Sequence, residues 1–272
     1  MKNPAAAKTS KNVSEFERRA ARADLLARGA AAAQDPLRFA AGLYRVQGRL
    51  AQDLEQAHGD EPLSGSLEAD LDRLLGRIGS VLRYAAEEGP EDLAGQARAR
   101  QQDLPATART RLLVAWAGDR PASEDYLSRA ILRPYAETLR HVGKPPDRIH
   151  RRGQCPFCGG PPWIGARRDA GEMEGAHRHL GCALCGLEWP FQRIVCPSCF
   201  EEDPYKLPVF RSDPHPTVRV EACETCRRYV KSIDLSEDAR PIPEVDDLVS
   251  WSMDLWAAEQ GWTRIEPGLA GL

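Results

Sequence analysis

Cys155-Pro156-Phe157-Cys158-Gly159 opens a series of four Cys-x-x-Cys pairs. The others are Cys182-Ala183-Leu184-Cys185, Cys196-Pro197-Ser198-Cys199 and Cys223-Glu224-Thr225-Cys226, and together they use every cysteine of the 272-residue chain. Moving Cys155, Cys158, Cys182 and Cys185 forward by 41 positions lands on Cys196, Cys199, Cys223 and Cys226. One four-cysteine unit therefore occurs twice.

The spacing has a chemical reason. Two residues between cysteines let one tight turn present both sulfurs to one ion, and a second turn brought alongside completes a tetrahedron with metal–sulfur distances of about 2.3 Å. Pro156 and Pro197 preset φ at the start of their turns, while Gly159 and Gly186 follow their pairs where the chain must reverse with positive φ. Phe200 and Arg227 stand at those two places in the second unit, which predicts looser turns or strained residues there. The repeat favours one metal site on Cys155, Cys158, Cys182 and Cys185 and another on Cys196, Cys199, Cys223 and Cys226. An interleaved pairing of turns one and three stays open. Sulfur donors suit zinc and iron alike.

Upstream of this lattice the pattern is helical. Asp35-Pro36 reads as an N-cap followed by a first-turn proline, ahead of Phe39, Leu43, Val46, Leu50 and Leu54 at helical spacing. Ser66 begins a second stripe through Leu67, Leu71, Leu74, Leu75, Ile78 and Leu82, and Gly89-Pro90 ends it. Further helices are predicted near 91–102, 105–117 and 122–141, with Pro134 kinking the last or ending it early. Past Lys144-Pro145-Pro146, Thr217–Val220 and Tyr229–Ile233 look like strands, and 245–260 returns to helix with Trp251 and Trp256 on neighbouring turns.

The expected fold class is α+β: an N-terminal all-α domain, two tandem rubredoxin-like or zinc-ribbon modules, and a C-terminal helix. The segments are 1–12 (a flexible N-terminus), 13–146 (helical), 147–190 and 191–240 (the two modules), and 241–272 (the C-terminal helix and tail).

Composition narrows the function. A net charge of −3, with basic and acidic residues nearly balanced across the cysteine region, lacks the footprint of a nucleic-acid binder. No secretory h-region and no long apolar run occur, so a cytoplasmic protein is expected, where clustered cysteines favour metal over disulfides. No catalytic triad, phosphate-binding glycine loop or dinucleotide fingerprint is present, and the chain reads as a non-enzyme. His177 and His179 would be surplus as ligands. Arg151-Arg152 and Arg167-Arg168 are read as offsetting thiolate charge, and Asp246-Asp247 as capping the final helix.

The four pairs, together with Glu188-Trp189, Tyr229-Val230-Lys231, Asp246-Asp247-Leu248 and Glu259-Gln260-Gly261-Trp262, resemble the FdhE family, accessory proteins of formate dehydrogenase. The resemblance covers about residues 150–265. It implies two rubredoxin-like modules behind a helical domain, two bound metal ions with iron favoured over zinc, a cytoplasmic assembly role, and the formate dehydrogenase catalytic subunit as partner. Two other readings compete: a zinc-ribbon module for nucleic acid or transcription machinery, and a rubredoxin-type electron carrier.

Overall fold

The computed structural model describes residues 10–118, 125–169 and 177–271. Most of the expected flexible N-terminus, residues 1–9, lies outside them, and Lys11 already belongs to the first helix. Seven helices come first: α1 (Lys11–Ala27), α2 (Gln34–Asp60), α3 (Leu67–Leu75), α4 (Gly79–Glu88), α5 (Glu91–Arg100), α6 (Pro105–Ala117) and α7 (Tyr126–His141). Strands β1 (Pro162–Arg168), β2 (His177–Cys182), β3 (Glu188–Pro190), β4 (Val209–Ser212), β5 (His215–Cys223) and β6 (Arg228–Asp234) follow. The short helix α8 (Pro243–Asp246), α9 (Trp251–Glu259) and strand β7 (Thr263–Arg264) complete the described chain, which is α+β as expected.

The central helix is α7. Residues on all its faces are buried, from Leu127 and Ser128 through Tyr135 to Leu139, so its polar side is enclosed as well as its apolar one. The Asp125 carboxylate caps its N-terminus, accepting from the Ser128 N–H at 2.9 Å. Pro134 neither ends the helix nor stops it short. A proline at this place removes the hydrogen bond to the Ala130 carbonyl, and the buried Gln47 side chain from α2 donates to that carbonyl at 2.8 Å instead.

Three other local expectations change. The stripe begun at Ser66 is two helices, because the chain turns at Gly76, where the Arg77 N–H reaches back to the Leu74 carbonyl at 2.9 Å. Asp35 is not a cap: a 3-10 turn at Ala31–Ala33 starts α2 early and leaves Asp35 in its first turn. The final helix is broken into α8, a 3-10 turn at Asp247–Ser250, and α9.

The two cysteine units share one seven-stranded sheet, ordered β3-β2-β1-β6-β5-β4 with β7 beside β6. Within each unit the pairings are antiparallel, whereas β1 and β6 join the units in parallel, with Ile164 opposite Lys231 and Arg167 opposite Asp234. The first strand of one unit thus meets the last strand of the other, a head-to-tail arrangement. It leaves β3 and β4, of three and four residues, as the outer edges, and strands this short offer little to pair with another chain. One face packs Val218, Val220, Tyr229 and Ile233 against Met253 and Ala257 of α9.

Charges buried between elements bind this assembly together. Arg19 of α1 donates to Glu137 of α7 at 2.8 Å, Arg133 donates to Glu137 at 2.7 Å, and Glu244 of α8 pairs with both arginines. Each charge faces an opposite one, which is what allows four ionised groups to leave water.

Candidate metal centres

Four tight turns carry the sulfurs. In each, the N–H of the residue after the second cysteine donates to the carbonyl of the first cysteine: Gly159 to Cys155 at 2.9 Å, Gly186 to Cys182 at 3.2 Å, Phe200 to Cys196 at 3.0 Å and Arg227 to Cys223 at 2.9 Å. All four donors have positive φ, 66°, 67°, 64° and 55° respectively. The second unit therefore keeps the same turn and places non-glycine residues in left-handed backbone. Both are held by their side chains. The guanidinium of Arg152 lies 4.2 Å from the centre of the Phe200 ring. Arg227 stacks over Trp262 at 4.8 Å and donates to the Gln260 carbonyl at 2.6 Å.

The turns bring the sulfurs together as the repeat predicts. The Sγ atoms of Cys155, Cys158, Cys182 and Cys185 all lie within 4.8 Å of one another, and so do those of Cys196, Cys199, Cys223 and Cys226. Sulfur–sulfur distances are 3.6 Å for Cys155–Cys185 and 3.4 Å for Cys158–Cys182. In the second group Cys196–Cys226 is 3.7 Å and Cys199–Cys223 is 3.6 Å. A tetrahedron with metal–sulfur bonds of about 2.3 Å has edges of about 3.8 Å. Each quartet could therefore hold one metal ion of a kind that accepts four sulfur donors.

Further details suit a cation. The N–H groups of Leu184 and Cys185 point at the Cys182 sulfur at 3.3 and 3.4 Å, and that of Ser198 at the Cys196 sulfur at 3.4 Å. A side chain on Gly160 would meet the Cys182 sulfur at 2.8 Å, so this place is kept open for the cluster. With no positive ion between them, four thiolates could not coexist. Hydrogen bonds from Cys158, Cys182 and Cys185 hold the Cys155 thiol below its usual value, whereas burial pushes Cys182 up and contact with Cys155 pushes Cys185 up.

The two centres differ in their surroundings. All four cysteines of the first are sealed, sharing one apolar core with Leu50, Leu71, Leu74 and Leu139 of the helices and with Trp189. Arg140 of α7 donates to the Cys185 carbonyl at 2.8 Å, and Gly186 presses against Arg19 and Glu137 so closely that a side chain there would clash. In the second centre Cys199 is exposed and Cys226 half-buried.

The other sequence candidates fall elsewhere. His177 is exposed and His179 half-buried, both outside the sulfur groups. Arg167 and Arg168 pair with Asp234 and Glu188, and Arg152 with Glu202, not with sulfur. Arg148 is the cation that feels all four sulfurs of the first group. Burial lowers its pKa, and Cys158 foremost among the four opposes that shift. It stacks on Trp116 at 4.7 Å and is seven residues before Cys155, with no local signal to mark it. Asp246 does accept from the Ile242 N–H at 2.7 Å, but Asp247 is buried against Lys231 and Arg264 instead of capping a helix.

Comparison with known proteins agrees with this geometry. Residues 154–193 match the profile described as "FdhE, central domain" and residues 194–269 the profile "FdhE, C-terminal domain". "Protein FdhE homolog" of Pseudomonas putida is 30% identical over 279 residues, spanning 93% of this chain and 86% of that protein. The homologues of Aquifex aeolicus and Pseudomonas aeruginosa are 34% and 36% identical over 120 and 122 residues, which is 44% and 43% of this chain. Those two matches span 42% and 39% of the relatives, less than half of their length. The crystal structure of the FdhE protein from Pseudomonas aeruginosa has the same fold, with a TM-score of 0.72 at 24% identity over 96% of this chain and 95% of that one.

Proposed function

We propose that this chain, which belongs to the FdhE family, is a cytoplasmic metal-binding accessory factor that binds the catalytic subunit of a formate dehydrogenase while that subunit matures. The observation that carries this reading is the pair of sulfur quartets of tetrahedral size, set in a chain of this family with no other cluster of that kind among the described residues. In this reading Cys155, Cys158, Cys182 and Cys185 ligate one ion, and Cys196, Cys199, Cys223 and Cys226 ligate the other. Bound metal supplies a rigid cross-link and, if it is iron, a one-electron couple.

The chain's own residues then divide the work. The first quartet, packed into the helical core, fastens the sheet to the helices through Arg140 and the Arg19–Glu137 pair. The second presents Cys199 at the surface, where a partner can reach it. No helix among the described residues is long and apolar enough to cross a membrane.

The test is genetic and biochemical. A strain lacking the gene, with no related gene to substitute, should still make the catalytic polypeptide but show little formate dehydrogenase activity. The intact gene should restore activity and a Cys182→Ser/Cys185→Ser variant should not. Full activity in the deletion strain would sink the proposal.

A further inference from the structure

The sheet face opposite α9 gathers arginines from four strands. Arg167 on β1 stands directly opposite Arg178 on β2, and Arg211 on β4 directly opposite Arg219 on β5. Residues paired in this way project to the same face, and like charges so placed repel. Two carboxylates offset part of that repulsion: Glu221 lies 2.7 Å from Arg178, and Asp234 pairs with Arg219 and lies 3.8 Å from Arg167.

A cleft of about 80 Å³ opens at the second quartet, lined by Arg167, Arg178, Arg193, Arg219 and Arg228, by Glu221, and by Cys196 and Cys223 of the quartet itself. It is larger than the roughly 10–15 Å³ that one water needs. The Nε–H groups of Arg167, Arg178 and Arg219 are buried and make no hydrogen bond, that of Arg167 lying 3.8 Å from Asp234. Ser232, the register partner of Arg219, has a buried hydroxyl in the same condition. Arg178 is 4% exposed; its Nη1 donates to the carbonyls of Gln192 and Val195 at 3.0 and 2.8 Å, and its Nη2 faces Glu221. Burial, and then the neighbouring Arg167, push the Arg219 guanidinium below its ordinary value. A sealed donor without an acceptor costs about 1–3 kcal/mol, and here three belong to cations.

We propose that this cleft binds a phosphate-type oxyanion, either inorganic phosphate or the phosphate group of a small ester, through Arg167, Arg178 and Arg219. Guanidinium donors arriving from three strands suit the several oxygens of a tetrahedral anion better than the two of a flat carboxylate. The cleft's size accepts one such group. This inference is independent of the proposed accessory role.

Calorimetry on the metal-loaded full chain, at constant ionic strength, tests it with inorganic phosphate and separately with phenyl phosphate, against chloride. Saturable binding of at least one is expected. An Arg167→Gln/Arg219→Gln variant should bind at least tenfold more weakly while keeping the metal content of the unaltered chain. Should that variant lose metal, the exposed pair Arg193→Gln/Arg228→Gln gives the reading instead, with a several-fold loss expected. Tighter binding of the ester assigns the site to the phosphate group of a larger molecule, and tighter binding of phosphate to the free ion; either upholds the cleft. Failure of both anions to saturate, or affinity unchanged in the variant that folds, overturns it.

Discussion

The Lys231 ammonium lies 2.9 Å from an Asp247 carboxylate oxygen, the lysine wholly buried and the aspartate nearly so. It also meets the Asp254 carboxylate at 2.5 Å and donates to the Asp247 carbonyl at 3.0 Å. Arg264 closes the group, 3.0 Å from Asp247 and 3.1 Å from Asp254. Two cations and two anions thus neutralise one another at the seam between β6 and the C-terminal turns. Tyr229-Val230-Lys231 and Asp246-Asp247-Leu248, far apart in sequence, become halves of one contact.

Breaking that group should be costly. Lys231→Met leaves two buried carboxylates sharing Arg264, and loss of one partner from a buried pair costs about 3–5 kcal/mol. Urea unfolding of the metal-loaded protein should show a matching drop in midpoint; an unchanged midpoint would mean that water reaches these groups.

Acid should loosen α1 first through Glu15. Burial raises the pKa of this carboxyl, but the hydrogen bond to His141 and the charge of Arg140 outweigh it and hold it at about 2. A depressed carboxylate contributes its full stabilisation above the unfolded value, about 4.3, and loses it as pH falls toward the folded one. Protection of α1 amides from hydrogen exchange, relative to the intrinsic rate at each pH, should fall between these limits, and less so in Glu15→Gln compared at the same pH.

The Gln47–Ala130 contact predicts a local cost. Gln47→Leu keeps the volume nearly constant but orphans the carbonyl that Pro134 cannot serve, a loss of about 1–3 kcal/mol. Pro134→Ala in that background should recover part of it, because an N–H returns. If Gln47→Leu is neutral in thermal unfolding, another group must satisfy Ala130.

The left-handed turns of the second unit can be probed by substitution. At Arg227, alanine keeps the strain and loses the stacking on Trp262, so it should destabilise by about 1–2 kcal/mol. Glycine loses the same contacts yet relieves the strain, and should be the milder change. Metal retention in competition with a chelator would rank the three proteins, with arginine ahead of glycine and glycine ahead of alanine.

Chelation should also separate the two centres. Cys199 is exposed whereas the first quartet is sealed in the helical core, so metal release should occur in two phases with the second quartet emptying first. Cys199→Ser should abolish the fast phase. His177→Ala/His179→Ala should change neither phase, because both histidines lie outside the sulfur groups.

The repeat of Cys-x-x-Cys pairs favoured the grouping of sulfurs that the fold shows, because a two-residue spacing writes a turn locally and a 41-residue shift writes it twice; the interleaved alternative was closed only by the fold. The helical first half was legible for the same reason: leucines at 3.6-residue spacing need no distant partner to declare a face. Residues 215–223 and 228–234 gave partial strand signals and His177 and His179 read as strand residues, while β1, buried on both faces over most of its length, and β3, only three residues long, gave none.

What only tertiary structure decided is the set of relations between distant segments. Parallel pairing of β1 with β6 merges two units that read as separate, and no local pattern encodes which edges meet. Packing of the first quartet against α7 makes one centre sealed and the other open, although the eight cysteines look alike in sequence. Nothing in the sequence marks Lys231, Asp247 and Asp254 as buried, and a buried charge can be recognised only when its partner is in place.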